Sequence, residues 1–130
     1  MTRALLDTSL VIAASDGDGE LPSTAAISVI TIGELHAGVL RAADPVVRAV
    51  RSERLADFRA AYRPLPVDDE VAEHYGRALA LARAEGRGQK AADLLIIATA
   101  AATNRELHTR DIGQAKLARR LGLVVHGPGE

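Results

Sequence analysis

The sequence predicts an α/β domain with a mainly parallel sheet of about five short strands flanked by helices. Short apolar runs alternate along the chain with longer stretches of helical periodicity, a pattern typical of parallel sheets. One stretch, KAADLLIIATAAA at residues 90–102, is apolar on every side at helical spacing, which indicates a buried helix. At 130 residues, the chain is expected to form one domain that spans residues 1–130.

The predicted elements follow each other in a regular order. Apolar runs bounded by turn residues predict strands at residues 4–6, 25–29, 65–67, 106–109 and 123–126. Helical patterns lie at residues 10–14, 31–43, 46–62, 69–85, 91–103 and 111–121. Asp68 is the expected cap of the fourth helix, and Gly86 and Gly88 are expected to end it.

The composition excludes several classes of function. The chain has no cysteine, which excludes disulfides, thiol catalysis and zinc or iron–sulfur sites with Cys ligands. A net charge of −1 gives no general attraction to nucleic acid, and two tyrosines and one phenylalanine are too few for a base-stacking surface. The four histidines are scattered without zinc-like spacing, and no phosphate-binding glycine motif is present. Without a signal peptide or an apolar run of membrane-spanning length, a cytoplasmic protein with no membrane contact is expected.

Four acidic residues occupy positions that this fold would bring to one edge of the sheet. Asp7 and Asp111 each follow a predicted strand, Glu34 lies in the helix after the second strand, and Asp93 lies near the start of the buried helix. Helices that follow parallel strands begin at the carboxyl edge of the sheet, so the four carboxylates are expected to converge there. Clustered carboxylates repel each other, and a hard cation such as Mg²⁺ or Mn²⁺ relieves that repulsion. Such a site can activate water and stabilise the charge on a reacting phosphodiester.

Each acid also has a purely structural interpretation. Asp7 and Asp111 could cap the helices that they precede, and Asp93 could interact with the free N–H groups of its own helix. Glu34 completes the tetrapeptide TIGE at residues 31–34, which fits a capping box. Any one of the four is weak evidence for function, and the prediction of a metal site depends on their combination.

Four stretches at residues 5–9, 27–39, 90–102 and 106–112 read LLDTS, ISVITIGELHAGV, KAADLLIIATAAA and ELHTRDI. Together they resemble the PIN-domain ribonucleases, specifically the VapC-type toxins of bacterial toxin–antitoxin pairs. They occur in the right order over nearly the whole chain, and the first three are specific in combination. The resemblance implies a single PIN-like domain over residues 1–130.

The same resemblance implies a metal-dependent endoribonuclease. Its catalytic carboxylates and ligands for Mg²⁺ or Mn²⁺ would be Asp7, Glu34, Asp93 and Asp111. The hydroxyl of Thr8 or Ser9 would support the first acid. The implied partners are a structured RNA substrate such as transfer RNA, a cognate antitoxin that blocks the site, and a second copy of the chain in a homodimer.

The fourth motif departs from the family pattern T-R-N-x-x-D-F. Asp111 stands at the Asn position, Gln114 stands at the usual acidic position, and the Phe is absent. This departure leaves open a non-catalytic binding module with the same fold. A receiver-like signalling domain is a further alternative, but it needs adjacent acids after the first strand, and Asp7 has no acidic neighbour.

Two basic residues just ahead of Asp93 are candidates for RNA contact. Arg87 and Lys90 lie between the predicted fourth helix and the buried helix, where they are expected to flank the acidic edge. There they could hold phosphates beside the metal. The alternative is that both are solvated charges in a loop near a helix end.

Overall fold

One parallel sheet organises the chain. The structure, a computed structural model, describes residues 3–22 and 24–129. Across these ranges, the strands are β1 (Ala4–Leu6), β2 (Ala25–Ser28), β3 (Arg63–Leu65), β4 (Glu106–His108) and β5 (Val125–His126). Their order in the sheet is β3-β2-β1-β4-β5, and all four pairings are parallel. The predicted α/β fold with a parallel sheet is therefore confirmed.

Helices cover both faces of this sheet. In the described part of the chain they are α1 (Thr8–Ser15), α2 (Val29–Arg41), α3 (Pro45–Ala61), α4 (Asp69–Ala84), α5 (Ala91–Ala102) and α6 (Ile112–Arg120). None of the helices in these ranges is both long enough and apolar enough to cross a membrane. The predicted helices are all present, with bounds that differ by a few residues.

Alternate residues of β1 face two separate parts of the core. Leu5 packs with residues of α4, α5 and α6, whereas Leu6 packs with Val11 of α1 and with side chains of α2 and α3. Helix α5 is buried over most of its length, as predicted, and Ile96 and Ala98 have no exposed surface, whereas Ala91 at its start is exposed. Because the buried part of α5 packs tightly in the core, the position of its first turn relative to the sheet is fixed.

Two of the differences between predicted and observed boundaries change how residues are interpreted. Strand β3 occupies residues 63–65 rather than 65–67, and it pairs only with β2, so Pro64, which has no N–H group, is tolerated at this sheet edge. Helix α2 begins at Val29 and is capped by Ser28, whose hydroxyl accepts a hydrogen bond from the N–H of Ile30 at 3.0 Å. Residues 31–34 therefore lie inside the helix, and the capping-box interpretation of Glu34 is wrong.

Candidate active site

Asp7 is a buried carboxylate at the carboxyl end of the central strand. It is 3% exposed, and its backbone N–H donates to the carbonyl of His108 at the end of β4, at 2.8 Å. Its Oδ2 accepts hydrogen bonds from the N–H and the hydroxyl of Ser9, at 3.1 and 2.6 Å, and its Oδ1 accepts from the side-chain amide of Gln114 at 3.1 Å. These donors offset the cost of burying the charge. Asp7 thus caps α1 and also belongs to the site.

The two hydroxyl residues after Asp7 have different partners. Ser9 contacts Asp7, whereas the hydroxyl of Thr8 donates to Oε1 of Glu34 at 2.6 Å. The Thr8 oxygen also lies 2.9 Å from the hydroxyl of Thr31, a fully buried residue of α2. Because the single proton of Thr8 goes to the carboxylate, Thr31 must be the donor in that second contact. This chain of hydroxyls orients Glu34, which is otherwise exposed on α2.

Asp93 lies in the first turn of α5 and faces the other three acids. Its Oδ2 accepts a hydrogen bond from the side-chain amide of Gln89 at 3.3 Å. Burial raises the pKa of Asp93 from 3.8 to about 6, and the charges of Asp7, Asp111 and Glu34 add to the increase. The four predicted acids therefore converge closely enough for their charges to oppose ionisation of Asp93.

Asp111 occupies the edge of this cluster. It is exposed and caps α6, since its Oδ1 accepts a hydrogen bond from the backbone N–H of Gln114 at 2.7 Å. Its charge nevertheless contributes to the raised pKa of Asp93. The structural interpretation of Asp111 as a cap and its place beside the other acids are thus both observed.

Gln114 connects three parts of the site, and its nitrogen rather than its oxygen faces the acids. It is fully buried, and its amide nitrogen donates to Oδ1 of Asp7 at 3.1 Å and to the backbone carbonyl of Asp93 at 3.3 Å. Both of these partners can only accept, so the orientation of the amide is fixed. Its oxygen accepts the hydroxyl proton of Thr109 at 2.7 Å. The amide oxygen of Gln114 is therefore occupied by Thr109 and does not face the acids.

Sequence reasoning missed Thr109 and Gln89. Thr109 is 2% exposed, and its hydroxyl lies 3.2 Å from Oδ2 of Asp7 and accepts the backbone N–H of Asp111 at 3.0 Å. Thr109 could have been identified from the sequence, because it is a hydroxyl residue at the end of a predicted strand and the carboxyl ends of the strands form the edge that carries the acids. Gln89 had no comparable signal, because its contact with Asp93 depends on the conformation of the loop before α5.

The two basic candidates occupy different environments. Lys90 is exposed at the start of α5, and its positive charge acts to lower the pKa of Asp93, so it lies beside the acids. The guanidinium of Arg87 pairs instead with Glu85 at 2.8 Å, and Glu85 also binds Arg120 at 2.7 Å. The hydrogen bonds from Arg120 and Arg87 lower the pKa of Glu85.

Two cavities differ in their relation to the acids. One, of about 410 Å³, is a groove between α1, α2 and α3 that includes Glu34 in its wall. Most of the other side chains in this wall are apolar or basic, and Asp16 adds a second acid: Ile12, Leu35, Leu55, Phe58, Arg41, Arg51, Arg54 and Asp16. The other, of about 740 Å³, lies near the amino ends of the strands, beside Arg3 and Arg105, and none of the four acids is among its described lining residues. The smaller groove is therefore the one that adjoins the site.

The donor set suits a hard divalent cation. The four converging side chains offer only carboxylate oxygens, the ligands that Mg²⁺ and Mn²⁺ prefer. Burial is the largest cause of the raised pKa of Asp93, and repulsion by the other three acids adds to it; a cation would relieve that repulsion, so these residues fit such an ion.

A parallel α/β sheet with acids at its carboxyl edge is the architecture of a PIN domain. The family model described as PIN domain matches residues 4–120, so the chain belongs to the PIN-domain family. Within that family it is similar to VapC proteins. Ribonuclease VapC8 of Mycobacterium tuberculosis is 44% identical over 100 residues, covering 74% of this chain and 88% of the relative. Ribonuclease VapC5 of the same species is 36% identical over 111 residues, covering 82% of each.

A solved structure agrees with this assignment. A member of the VapBC family of toxin–antitoxin systems, VapBC-5 from M. tuberculosis, superimposes with a TM-score of 0.80 at 34% identity and covers 98% of both chains. The resemblance to VapC-type proteins is therefore confirmed, and the receiver-like alternative is excluded.

Proposed function

We propose that this protein is an endoribonuclease toxin that depends on Mg²⁺ or Mn²⁺ and hydrolyses phosphodiester bonds of RNA. The observation that supports it most directly is the grouping of Asp7, Glu34, Asp93 and Asp111: Gln114 joins Asp7 to the backbone of Asp93, and the charges of the other three acids add to the effect of burial in raising the pKa of Asp93. The relatives named as ribonucleases support the same activity. An RNA substrate would place this activity in the cytoplasm.

The chain prepares the four carboxylates for an ion in distinct ways. When bound, the cation would supply Lewis acidity that generates a hydroxide-like nucleophile and stabilises charge on the phosphodiester. Asp7 is held by Ser9 and Gln114, and Glu34 is held by Thr8. Hydrogen bonds to both carboxylates, together with the burial of Asp7, fix the positions of these oxygens before any ligand arrives, which reduces the cost of ordering them at the moment of reaction.

Positive charge beside the acids would hold the RNA backbone. Lys90 is exposed next to Asp93, where its ammonium group can contact a phosphate. We retain Arg87 as a second contact, because a guanidinium has five N–H donors and the bond to Glu85 uses its Nε. Replacing either by Ala should weaken RNA binding, with a larger effect for Lys90.

A structured RNA such as transfer RNA is the proposed substrate, and sequencing of RNA ends after brief expression would identify the cleavage site.

The groove beside Glu34 is a suitable surface for a neutralising antitoxin. Its wall combines apolar side chains such as Phe58 with three arginines, so it would accept an apolar segment that carries acidic residues. The relative of known structure belongs to a toxin–antitoxin system, which supports a cognate antitoxin as the partner.

A homodimer is also proposed, and sedimentation of the purified chain would test it.

The decisive experiment compares RNA cleavage by the wild type and two charge variants. Asp93→Asn should abolish cleavage in Mg²⁺, because the substitution removes a ligand charge from the centre of the cluster. The matched control is Asp57→Asn, which removes an exposed carboxylate from α3 and should cleave like wild type. Wild-type cleavage should stop in EDTA and return with Mg²⁺ or Mn²⁺. A wild-type chain that binds RNA without cutting it under these conditions would instead support the non-catalytic module.

A further inference from the structure

A second group of possible metal ligands lies on the sheet away from the four acids. The pairing of β4 with β5 places His108 directly opposite His126, although these residues are far apart in the sequence. Glu106 lies two residues before His108 on β4, so its side chain points to the same face of the sheet. The prediction that the histidines are scattered was therefore wrong for this pair, because strand register rather than sequence spacing brings them together.

The three side chains are in contact. The imidazole rings of His108 and His126 stack with their centroids 4.3 Å apart, and Nε2 of His126 lies 2.6 Å from Oε1 of Glu106. One potential ligand atom from each of the three residues can be chosen so that all lie within 4.8 Å of one another. Two imidazoles and a carboxylate therefore surround one small volume.

Nε2 of His108 lacks a partner that a metal ion could supply. This atom is buried and has no hydrogen-bond partner among the described residues, a costly arrangement for a polar atom. His126 and Glu106 are partly exposed, with 49% and 27% of their side chains accessible, which leaves the group open to an incoming ion.

We propose that Glu106, His108 and His126 form a binding site for a divalent transition-metal ion of the Zn²⁺ class. Nitrogen ligands from two histidines suit Zn²⁺ better than Mg²⁺, in contrast to the all-oxygen site around Asp93. Three protein ligands leave a fourth position for water. The ion would join the two-residue strand β5 to β4 by bonds in addition to their backbone hydrogen bonds.

The geometry requires only a small local adjustment. Ligand atoms around a tetrahedral Zn²⁺ with bonds of about 2.1 Å are about 3.4 Å apart. The separations observed extend up to 4.8 Å. His126 lies on an edge strand and Glu106 has three rotatable side-chain bonds, so both can move toward His108 without a change in the backbone.

Zn²⁺ titration in excess Mg²⁺ tests the proposal, because Mg²⁺ competes for the acidic cluster. The experiment uses the full chain without a polyhistidine tag. Wild type should bind one equivalent of Zn²⁺ by calorimetry and gain several degrees in Tm, since the ion binds only the folded state. Co²⁺ in place of Zn²⁺ should give the visible absorption of a low-symmetry site.

The variants His126→Asn and Glu106→Gln should weaken Zn²⁺ binding by more than the roughly 10–100-fold that loss of an outer-shell partner costs. Both residues are partly exposed, so the variants should fold. His36→Asn, an exposed position of α2, is the matched control and should bind like wild type. Equal binding by wild type and His126→Asn would overturn the proposal. Loss of Zn²⁺ binding in Asp93→Asn, together with its retention in His126→Asn, would also overturn the proposal, because Zn²⁺ would then occupy the acidic cluster.

Discussion

Asp93 shows at the scale of one residue how a functional group can reduce the stability of its own fold. Its carboxylate is partly buried and faces three other acids, so its pKa rises from 3.8 to about 6. The folded chain therefore holds a proton on Asp93 more tightly than the unfolded chain does. The contribution of this group to folding consequently becomes less favourable as pH rises through that interval.

This linkage gives a prediction for the metal-free protein. Below about pH 4 Asp93 is protonated in both the folded and the unfolded state, and above about pH 6 it is ionised in both. The destabilisation that its negative charge causes is therefore fully present at neutral pH. Asp93→Asn should raise the free energy of unfolding at pH 7 by on the order of 1–2 kcal/mol, a value reduced from the pKa shift for solvent screening. The gain should disappear near pH 4. Urea denaturation in EDTA at both pH values measures it.

Asp57→Asn serves as the control, because that exposed carboxylate lies on α3. A variant Asp93→Asn that is less stable than wild type at pH 7 would show that the negative charge mainly serves the first turn of α5. The interpretation of Asp93 as a residue of the helix terminus would then be preferred.

Gln114 gives a second prediction at the residue scale. Gln114→Glu replaces an amide that donates to Asp7 and to the carbonyl of Asp93 with a carboxylate that can only accept. The metal-free variant should lose on the order of 3 kcal/mol of stability, because a buried charge then faces acceptors. Excess Mg²⁺ should recover much of that loss. Thermal melts with EDTA and with Mg²⁺ measure both effects.

The other glutamine of the site provides the comparison. Gln89 is less buried and makes one longer contact with Asp93, so Gln89→Glu should destabilise the metal-free chain less than Gln114→Glu. Equal losses in the two variants would mean that the buried network around Gln114 has no special importance.

At the scale of elements, the site depends on where helices begin. Asp7 caps α1, Asp111 caps α6, and Asp93 lies in the first turn of α5. The carboxylates of Asp7 and Asp111 therefore accept hydrogen bonds from backbone N–H groups as well as facing the proposed cation, whereas the carboxylate of Asp93 accepts from the side chain of Gln89. A substitution of Asp7 or Asp111 therefore changes both the stability of the helix and the charge of the site, unless the new residue is also a good cap.

Asp111→Asn separates these two properties. Asn is about as good an N-cap as Asp, so α6 should remain intact while one negative charge is lost from the cluster. Cleavage should fall at low Mg²⁺ and be partly restored at high Mg²⁺, because Asp111 lies at the exposed edge of the site. Cleavage rates titrated against Mg²⁺ measure this. Asp7→Asn, at the buried centre, should not be restored.

Two other results would change the assignment of Asp111. A titration identical to that of wild type would make Asp111 a helix cap only, leaving three acids in the site. Complete inactivity at every Mg²⁺ concentration would place Asp111 among the central ligands, with Asp7.

At the scale of the whole molecule, the sequence predicts those features that depend on patterns along the chain. Strand–helix alternation gives the parallel sheet, and the apolar stretch around Asp93 gives the buried helix. The convergence of the acids follows, since the ends of parallel strands share one edge. Features that depend on register or side-chain conformation were not predictable. The contact of His108 with His126 requires the β4–β5 register, and the preference of Asp7 for Ser9 over Thr8 depends on how the first turn of α1 is oriented.

The central position of β1 has a consequence for how the protein is made. Asp7 leaves the ribosome early, yet its partners Thr109 and Gln114 are separated from it by 102 and 107 residues. A growing chain therefore has no complete site until translation has passed residue 114. Products that end before residue 106 would lack β4 and α6 and could not form the proposed active centre. Only a chain that extends past residue 114 would therefore need to be neutralised.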